Sequence, residues 1–209
     1  MTSSTKPLLY LASASPRRKE LLDQIGVAHH VLLLPPVEGE DEPRQANETP
    51  LAYVQRIALD KALRAAHWLK QPAQKEQAAR LPNGPILSAD TTVALGDRIF
   101  GKPVDLEDAA AILTELSNKT HRVYTAMVLL TETGVYRGLS EALVTFKTLH
   151  SNEIAQYIET RDPLGKAGAY GIQGYAARFI KELQGSYSGV MGLPLYEVTE
   201  LIREAKVLQ

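Results

Sequence analysis

The stretch Leu8-Leu9-Tyr10-Leu11-Ala12-Ser13-Ala14-Ser15-Pro16-Arg17-Arg18-Lys19-Glu20-Leu21-Leu22 decides the fold class. Its apolar run, Leu8 to Ala12, reads as a short buried strand. Ser15 is placed as an N-cap and Pro16 suits the first helical position, so a helix follows through Leu21, Leu22 and Ile25 to Gly26. Strand then helix is the opening unit of an α/β protein. Working outward, Val31 to Leu34 reads as a second strand that runs into Pro35-Pro36 and an acidic loop with Glu38, Glu40, Asp41 and Glu42. Thr49-Pro50 starts a long helix to about Lys70, and the polar, proline-bearing residues 71–85 read as a surface insertion.

Ile86 to Ala89 reads as a strand ending in Asp90-Thr91-Thr92, followed by Val93-Ala94-Leu95 and a Gly96-Asp97 turn. Asp105 caps a helix to about Leu116. Two longer strands, Arg122 to Leu130 and Glu141 to Leu149, are joined through Gly134. Ser151 begins a helix that must stop near Asp162-Pro163, and Pro194 starts a last helix with Leu195, Val198, Leu201, Ile202 and Ala205 on one face. Seven of the 14 glycines lie between Gly165 and Gly192, so that stretch reads as loops and short strands.

Composition narrows the function. The 209 residues correspond to one large domain or two small lobes. With no cysteine, a disulfide scaffold, a Cys-ligated zinc or iron–sulfur site and thiol catalysis are excluded. The 23 basic and 24 acidic side chains nearly cancel, which disfavours nucleic acid as the main partner. No N-terminal apolar run is long enough for a signal core or a membrane span, so a cytoplasmic protein without a membrane partner is expected.

Several residues carry candidate chemistry. A helix N-terminus offers unpaired N–H groups and a positive dipole end, and Arg17 and Arg18 stand in that first turn, where the dipole disfavours cations. That placement suits an anion site; the plain alternative is a capped surface helix with solvated arginines. Leu51, Val54, Ala58, Ala62, Ala65 and Leu69 form an apolar stripe, and Lys61, four residues after Ile57 and seven after Val54, projects from the same side. A charge there must snorkel, pair or meet a ligand. Asp90 follows a buried strand, where a carboxylate can hold a metal or activate water, or simply make an Asx-turn. Lys102 sits between Gly101 and Pro103, a rigid mount for a phosphate contact or an ordinary loop lysine. The five histidines give no zinc signature and read as structural or surface groups, and no phosphate-cradling glycine motif or nucleophile elbow is present.

Taken in order, L-A-S-A-S-P-R-R-K-E-L-L (11–22), V-E (37–38), A-L-D-K-A (58–62), S-A-D-T (88–91), G-K-P (101–103), K-T-H (119–121), D-P-L-G-K-A-G-A-Y-G-I-Q-G (162–174) and G-S-Y-S-G-V-M-G-L-P-L (185–195) resemble the Maf family of nucleoside triphosphate pyrophosphatases. The resemblance covers Leu8 to about Glu204. It implies one Maf-like domain over residues 1–209, an α/β fold with an elongated mixed β-sheet flanked by helices, of the Maf and inosine-triphosphatase type. Two lobes would enclose a nucleotide-binding cleft, in a protein that is often a homodimer. It further implies hydrolysis of dTTP and UTP between the α- and β-phosphates, with a divalent cation, Mg²⁺ or Mn²⁺. By the same resemblance, Ser13, Ser15, Arg17 and Arg18 form a phosphate loop, and Glu38, Lys61, Asp90 and Lys102 the catalytic group. Asp90 is then the base, Glu38 and Asp90 hold the metal, and Arg17, Thr91 and Gln173 take the specificity positions. Within the enzyme class, a pyrophosphatase that clears modified pyrimidine nucleotides is the runner-up. The competing class is a nucleotide-binding regulator of septum formation with little turnover. One departure falls at Ser117-Asn118, where the family has Ser-Gly; asparagine tolerates the left-handed turn, so the turn is expected to survive.

Overall fold

The computed structural model describes residues 9–35, 43–71 and 84–207. The acidic loop with Glu38 and nearly all of the 71–85 insertion lie outside the described residues. Seven strands form one mixed sheet: β1 (Leu9–Leu11), β2 (His29–Val31), β3 (Ile86–Leu95), β4 (Arg98–Phe100), β5 (Thr120–Leu130), β6 (Val135–Phe146) and β7 (Ile180–Gln184). The order is β2-β1-β3-β5-β6-β7, with β4 also on β3. β1 runs parallel to β2 and β3, and the remaining pairs are antiparallel. The helices are α1 (Pro16–Gln24), α2 (Pro50–Leu69), α3 (Leu106–Leu116), α4 (Ser151–Glu159), the short α5 (Tyr187–Met191) and α6 (Leu195–Glu204). None of them is long and apolar enough to cross a membrane.

Local chemistry accounts for most boundaries. Thr49 Oγ1 accepts from the Ala52 N–H ahead of Pro50, and Asp105 Oδ1 accepts from the Asp108 N–H, so α2 and α3 start where their caps stand. Asn118 takes φ 55°, the left-handed turn expected of it. Three expectations fail. The second strand lies two residues earlier, at His29–Val31, because its register is set by Leu9–Leu11 of β1. β6 begins at Val135 and ends at Phe146, since it pairs with β5 from the turn outward. Asp90 does not end a strand: β3 continues to Leu95 because β5 pairs with it across 86–94.

Side chains alternate across β3. Ser88 and Asp90 face α2, whose small residues Val54, Ala58 and Ala62 pack on Ala126 and Val128 of β5. Leu51, expected on that stripe, is exposed. On the opposite face, Leu87 and Ala89 join Met127, Leu129 and residues of α1 and α6 in a second cluster. Full burial of a leucine such as Leu87 or Leu129 contributes roughly 1.5–3 kcal/mol. Further along that face, Val93 and Val123 pack with α3, α4, Phe146, Tyr170 and Phe179. One edge of β3 carries β5. The other carries β1 at 86–87 and β4 at 93–95, and no described strand pairs with 88–92 there. The sheet is interrupted at the residues that bear the candidate chemistry.

Candidate active site

A cleft of about 540 Å³ opens at this interruption. Because no described strand pairs with 88–92 on this edge, side chains from both faces of β3 reach the cleft: Asp90 and Lys61 from the α2 side, Thr91, Val93 and Arg18 from the other. Ligands of open α/β sheets gather at such breaks in strand order. Its lining includes Ser13, Ser15, Arg17, Arg18, Lys61, Asp90, Thr91 and Lys102, so the structure brings eight of the sequence-derived candidates together. Gln173 is exposed and is not part of that lining. A side chain on Gly171 would meet the Lys166 Cε at 3.2 Å and the Gln173 Oε1 at 3.5 Å, so Gln173 stands beside a lining residue. Glu38 lies outside the described residues.

The segment from Ala12 to Ser15 leaves β1 and enters α1. Ser15 occupies the N-cap position, but its side chain caps nothing. Instead Ser13 Oγ accepts from the Ser15 N–H at 3.2 Å. Among the described residues the first turn of α1 therefore keeps unpaired N–H groups beside the cleft, the arrangement that suits an anion. Arg18 is fastened by three donations: Nε to the Gly192 carbonyl at 2.8 Å, Nη1 to Ser13 Oγ at 3.2 Å and Nη2 to Thr91 Oγ1 at 3.4 Å. Burial lowers its pKa, Asp90 opposes that shift, and the neighbouring Arg17 adds to it. Arg17 has no ion-pair partner among the described residues, yet its charge is felt at Tyr157 and Asp162 across the cleft.

On the α2 side, Lys61 Nζ donates to Asp90 Oδ1 at 2.5 Å, and Asp90 Oδ2 accepts from Thr92 Oγ1 at 3.3 Å. Pairing, not snorkelling, is what Lys61 does. Its pKa lies below that of a free lysine: burial lowers it most, Asp90 opposes, and Arg18 and Lys102 lower it further. Lys102 is exposed on its loop. That loop is tied to the far wall where the Gly168 N–H donates to the Gly101 carbonyl at 3.0 Å.

Sequence reasoning missed two lining cations. Arg64 stands one turn beyond Lys61 on the same helix, half-buried and without a partner among the described residues. Its three-residue spacing from Lys61 was the available signal. Lys166 belongs to the far wall, where its Nζ donates to Asp162 Oδ1 at 2.9 Å and to the Asp162 carbonyl. Burial pushes Asp162 upward, but Lys166 and the Tyr157 hydroxyl outweigh it and hold the carboxyl below its usual range. The lining thus carries six cations (Arg17, Arg18, Lys61, Arg64, Lys102 and Lys166) and one described carboxylate, Asp90. Such a surface suits a polyanion bearing a group that Asp90 can deprotonate or neutralise. No cluster of three metal-ligating side chains occurs among the described residues.

Residues 8–205 match the family model described as Maf-like protein. A dTTP/UTP pyrophosphatase of Bordetella avium is 50% identical over 96% of this chain and 96% of its own. Those of Cupriavidus pinatubonensis and Xanthomonas axonopodis pv. citri are 48% and 50% identical, over 95% and 93% of this chain and 97% of each of theirs. Among solved structures, the Staphylococcus aureus Ham1 protein aligns with a TM-score of 0.35 at 11% identity, over 66% of this chain and 71% of that one, too slight a likeness to carry an argument.

Proposed function

The chain belongs to the Maf family, and on that premise we propose that it is a nucleoside triphosphate pyrophosphatase that hydrolyses dTTP and UTP between the α- and β-phosphates, releasing the monophosphate and pyrophosphate. One observation carries the reading. Six cations converge around a single described carboxylate, Asp90, at the break in the sheet. A triphosphate brings about four negative charges, and phosphoryl transfer asks chiefly for positioning and charge stabilisation.

In this proposal the first turn of α1, with Ser13, Ser15, Arg17 and Arg18, cradles the phosphates. Asp90 Oδ1 is occupied by Lys61, whereas among the described residues Oδ2 has only the longer Thr92 contact, so Oδ2 takes the proton of the water that attacks the α-phosphorus. Lys61 and Lys102 stabilise the departing pyrophosphate. A hard divalent cation accepts one or two carboxylates together with phosphate oxygens, so Asp90 and the substrate fit that requirement without a three-residue protein cage, and Glu38 is the proposed second carboxylate. When bound, Mg²⁺ or Mn²⁺ would supply charge neutralisation on the phosphate oxygens. Thr91 and Gln173 remain the proposed determinants of pyrimidine preference, together with Arg17. The reading includes one Maf domain and a homodimer; sedimentation velocity measures the latter.

The test is a panel of nucleoside triphosphates, with and without Mg²⁺ or Mn²⁺, with pyrophosphate measured apart from orthophosphate. Metal-dependent pyrophosphate from dTTP and UTP, and little from ATP or GTP, is expected. Binding without release from any nucleotide would overturn the enzymatic reading in favour of a regulator.

A further inference from the structure

Thr91 does not act alone. Its Oγ1 lies 2.9 Å from Thr125 Oγ1, and Thr125 Oγ1 lies 2.8 Å from the Gly189 carbonyl. With Arg18 Nη2 at 3.4 Å from Thr91, this forms a chain of four groups from the cleft into the core. Its ends fix its direction. A guanidinium only donates and a carbonyl only accepts, and each hydroxyl between them has a single hydrogen. Thr125 must give its hydrogen to Gly189, so it accepts from Thr91. Thr91 gives its hydrogen to Thr125, so it accepts from Arg18. Any other assignment sets two oxygen lone pairs against each other, at 2.8 Å between Thr125 and the Gly189 carbonyl or at 2.9 Å between the two threonines.

We propose that Thr125 is a positioning residue for the substrate: acting through Thr91, it holds Arg18 in the orientation that receives the phosphates. This inference rests on the pyrophosphatase reading of the cleft. Thr125 is wholly buried and is not part of the cleft lining, so its effect passes through the chain of hydrogen bonds. Two consequences follow from the hydrogen count. Thr91 has no hydrogen left for a nucleotide base, and any contact it makes is as an acceptor. Arg18 has five N–H bonds, of which three are spent on neutral oxygens, leaving one on Nη1 and one on Nη2. A pair of donors on the two terminal nitrogens is the fork that matches a phosphate. Both carbonyl anchors, Gly189 and Gly192, belong to α5 or its end. A Cβ on Gly189 would come within 2.9 Å of Ser140 Oγ, and Gly192 takes φ 116°, so glycine at both places lets α5 settle against β6 and carry those carbonyls to Arg18 and Thr125.

The experiment compares Thr125→Val, Thr125→Ser and Thr91→Val with the unaltered protein. Thr125→Val keeps the shape and removes the relay, and is expected to raise KM for dTTP about tenfold with kcat changed by no more than about threefold. Thr125→Ser retains a hydroxyl and restores the KM. In parallel, the side-chain Nε–H resonance of Arg18, assigned by its loss in Arg18→Lys, should shift or broaden in Thr125→Val and in Thr91→Val but not in Thr125→Ser. If Thr125→Val keeps the unaltered KM and resonance while only its melting temperature falls, or raises KM with the resonance unmoved, the relay is overturned. Should Thr125→Val fail to fold, Thr91→Val decides on the same two readouts. Should the unaltered protein release no pyrophosphate, the functional reading fails, and the resonance comparison still decides whether Thr125 orients Arg18.

Discussion

Asp90 and Thr91 are neighbours in the chain, yet they stand on opposite faces of β3 and hold their cations in opposite ways. On the α2 face, Lys61 meets a carboxylate at 2.5 Å, and the two charges largely cancel. On the other face, Arg18 meets one carbonyl and two hydroxyls and, among the described residues, no carboxylate. Neutral acceptors fix its position and leave its charge unspent. The contrast separates two tasks. The charged pair is built to exchange protons and to be pulled apart by a ligand, whereas the neutral mount is built to keep a full positive charge in one place.

Substitution at the charged pair should have the largest effect. Asp90→Asn removes the proton acceptor and keeps the shape, so turnover is expected to fall at least about 10²-fold with nucleotide binding retained; unchanged turnover would dissolve the distinction between the faces. The far wall comes next. Lys166→Met removes a charge-assisted donor and should weaken dTTP binding roughly tenfold with kcat nearly kept, measured as a KM against kcat split. Arg64→Ala is smaller, about threefold in KM, since this arginine is partly solvated and no described partner orients it. A change in kcat as large as that of Asp90→Asn at either site would move that residue into the reacting group.

The alkaline limb of the rate profile sharpens the comparison further. Burial, reinforced by Arg18 and Lys102, lets Lys61 lose its proton below the range of a free lysine. Turnover should therefore decline on the alkaline side earlier than a free lysine allows, and Arg18→Met, by removing one repelling charge, should move that decline to higher pH. The gentlest effect concerns folding. His121 is 1% exposed, donates to or accepts from the Tyr170 hydroxyl at 2.8 Å, and is held by burial at a pKa of about 4 against an ordinary 6.5. Between those values the unfolded chain takes up a proton that the folded chain refuses. Stability is thus full above pH 6.5 and declines as pH falls toward 4. The melting temperature should follow, and His121→Gln should flatten that part of the curve.

Much of this was written locally in the chain. The caps at Thr49 and Asp105 and the left-handed turn at Asn118 are short-range effects, and each is where the sequence places it. Ser13, Ser15, Arg17 and Arg18 were visible for the same reason, being one strand–helix junction. What escaped was long-range. Asp90-Thr91-Thr92 reads as the end of the 86–89 strand, but pairing with β5 carries the strand on to Leu95. The partner of Lys166 is close by, but only the fold shows that both belong to the cleft wall. Gln173, read as a specificity position, turned out to stand beside the lining, at a distance no spacing rule encodes. Thr91 was named only as a specificity position, and its hydroxyl stands between Arg18 and Thr125, contacts that no local pattern encodes.

The edge of β3 at 88–92, where no described strand pairs, has one more implication. Open sheet edges are templates on which a foreign strand can add and begin an aggregate. Here β1 stops the exposed stretch at one end and β4 at the other, so a stranger would have to end its own ladder within the same few peptides. The opening that admits a small ligand is thereby too short to template the ladder of a foreign strand.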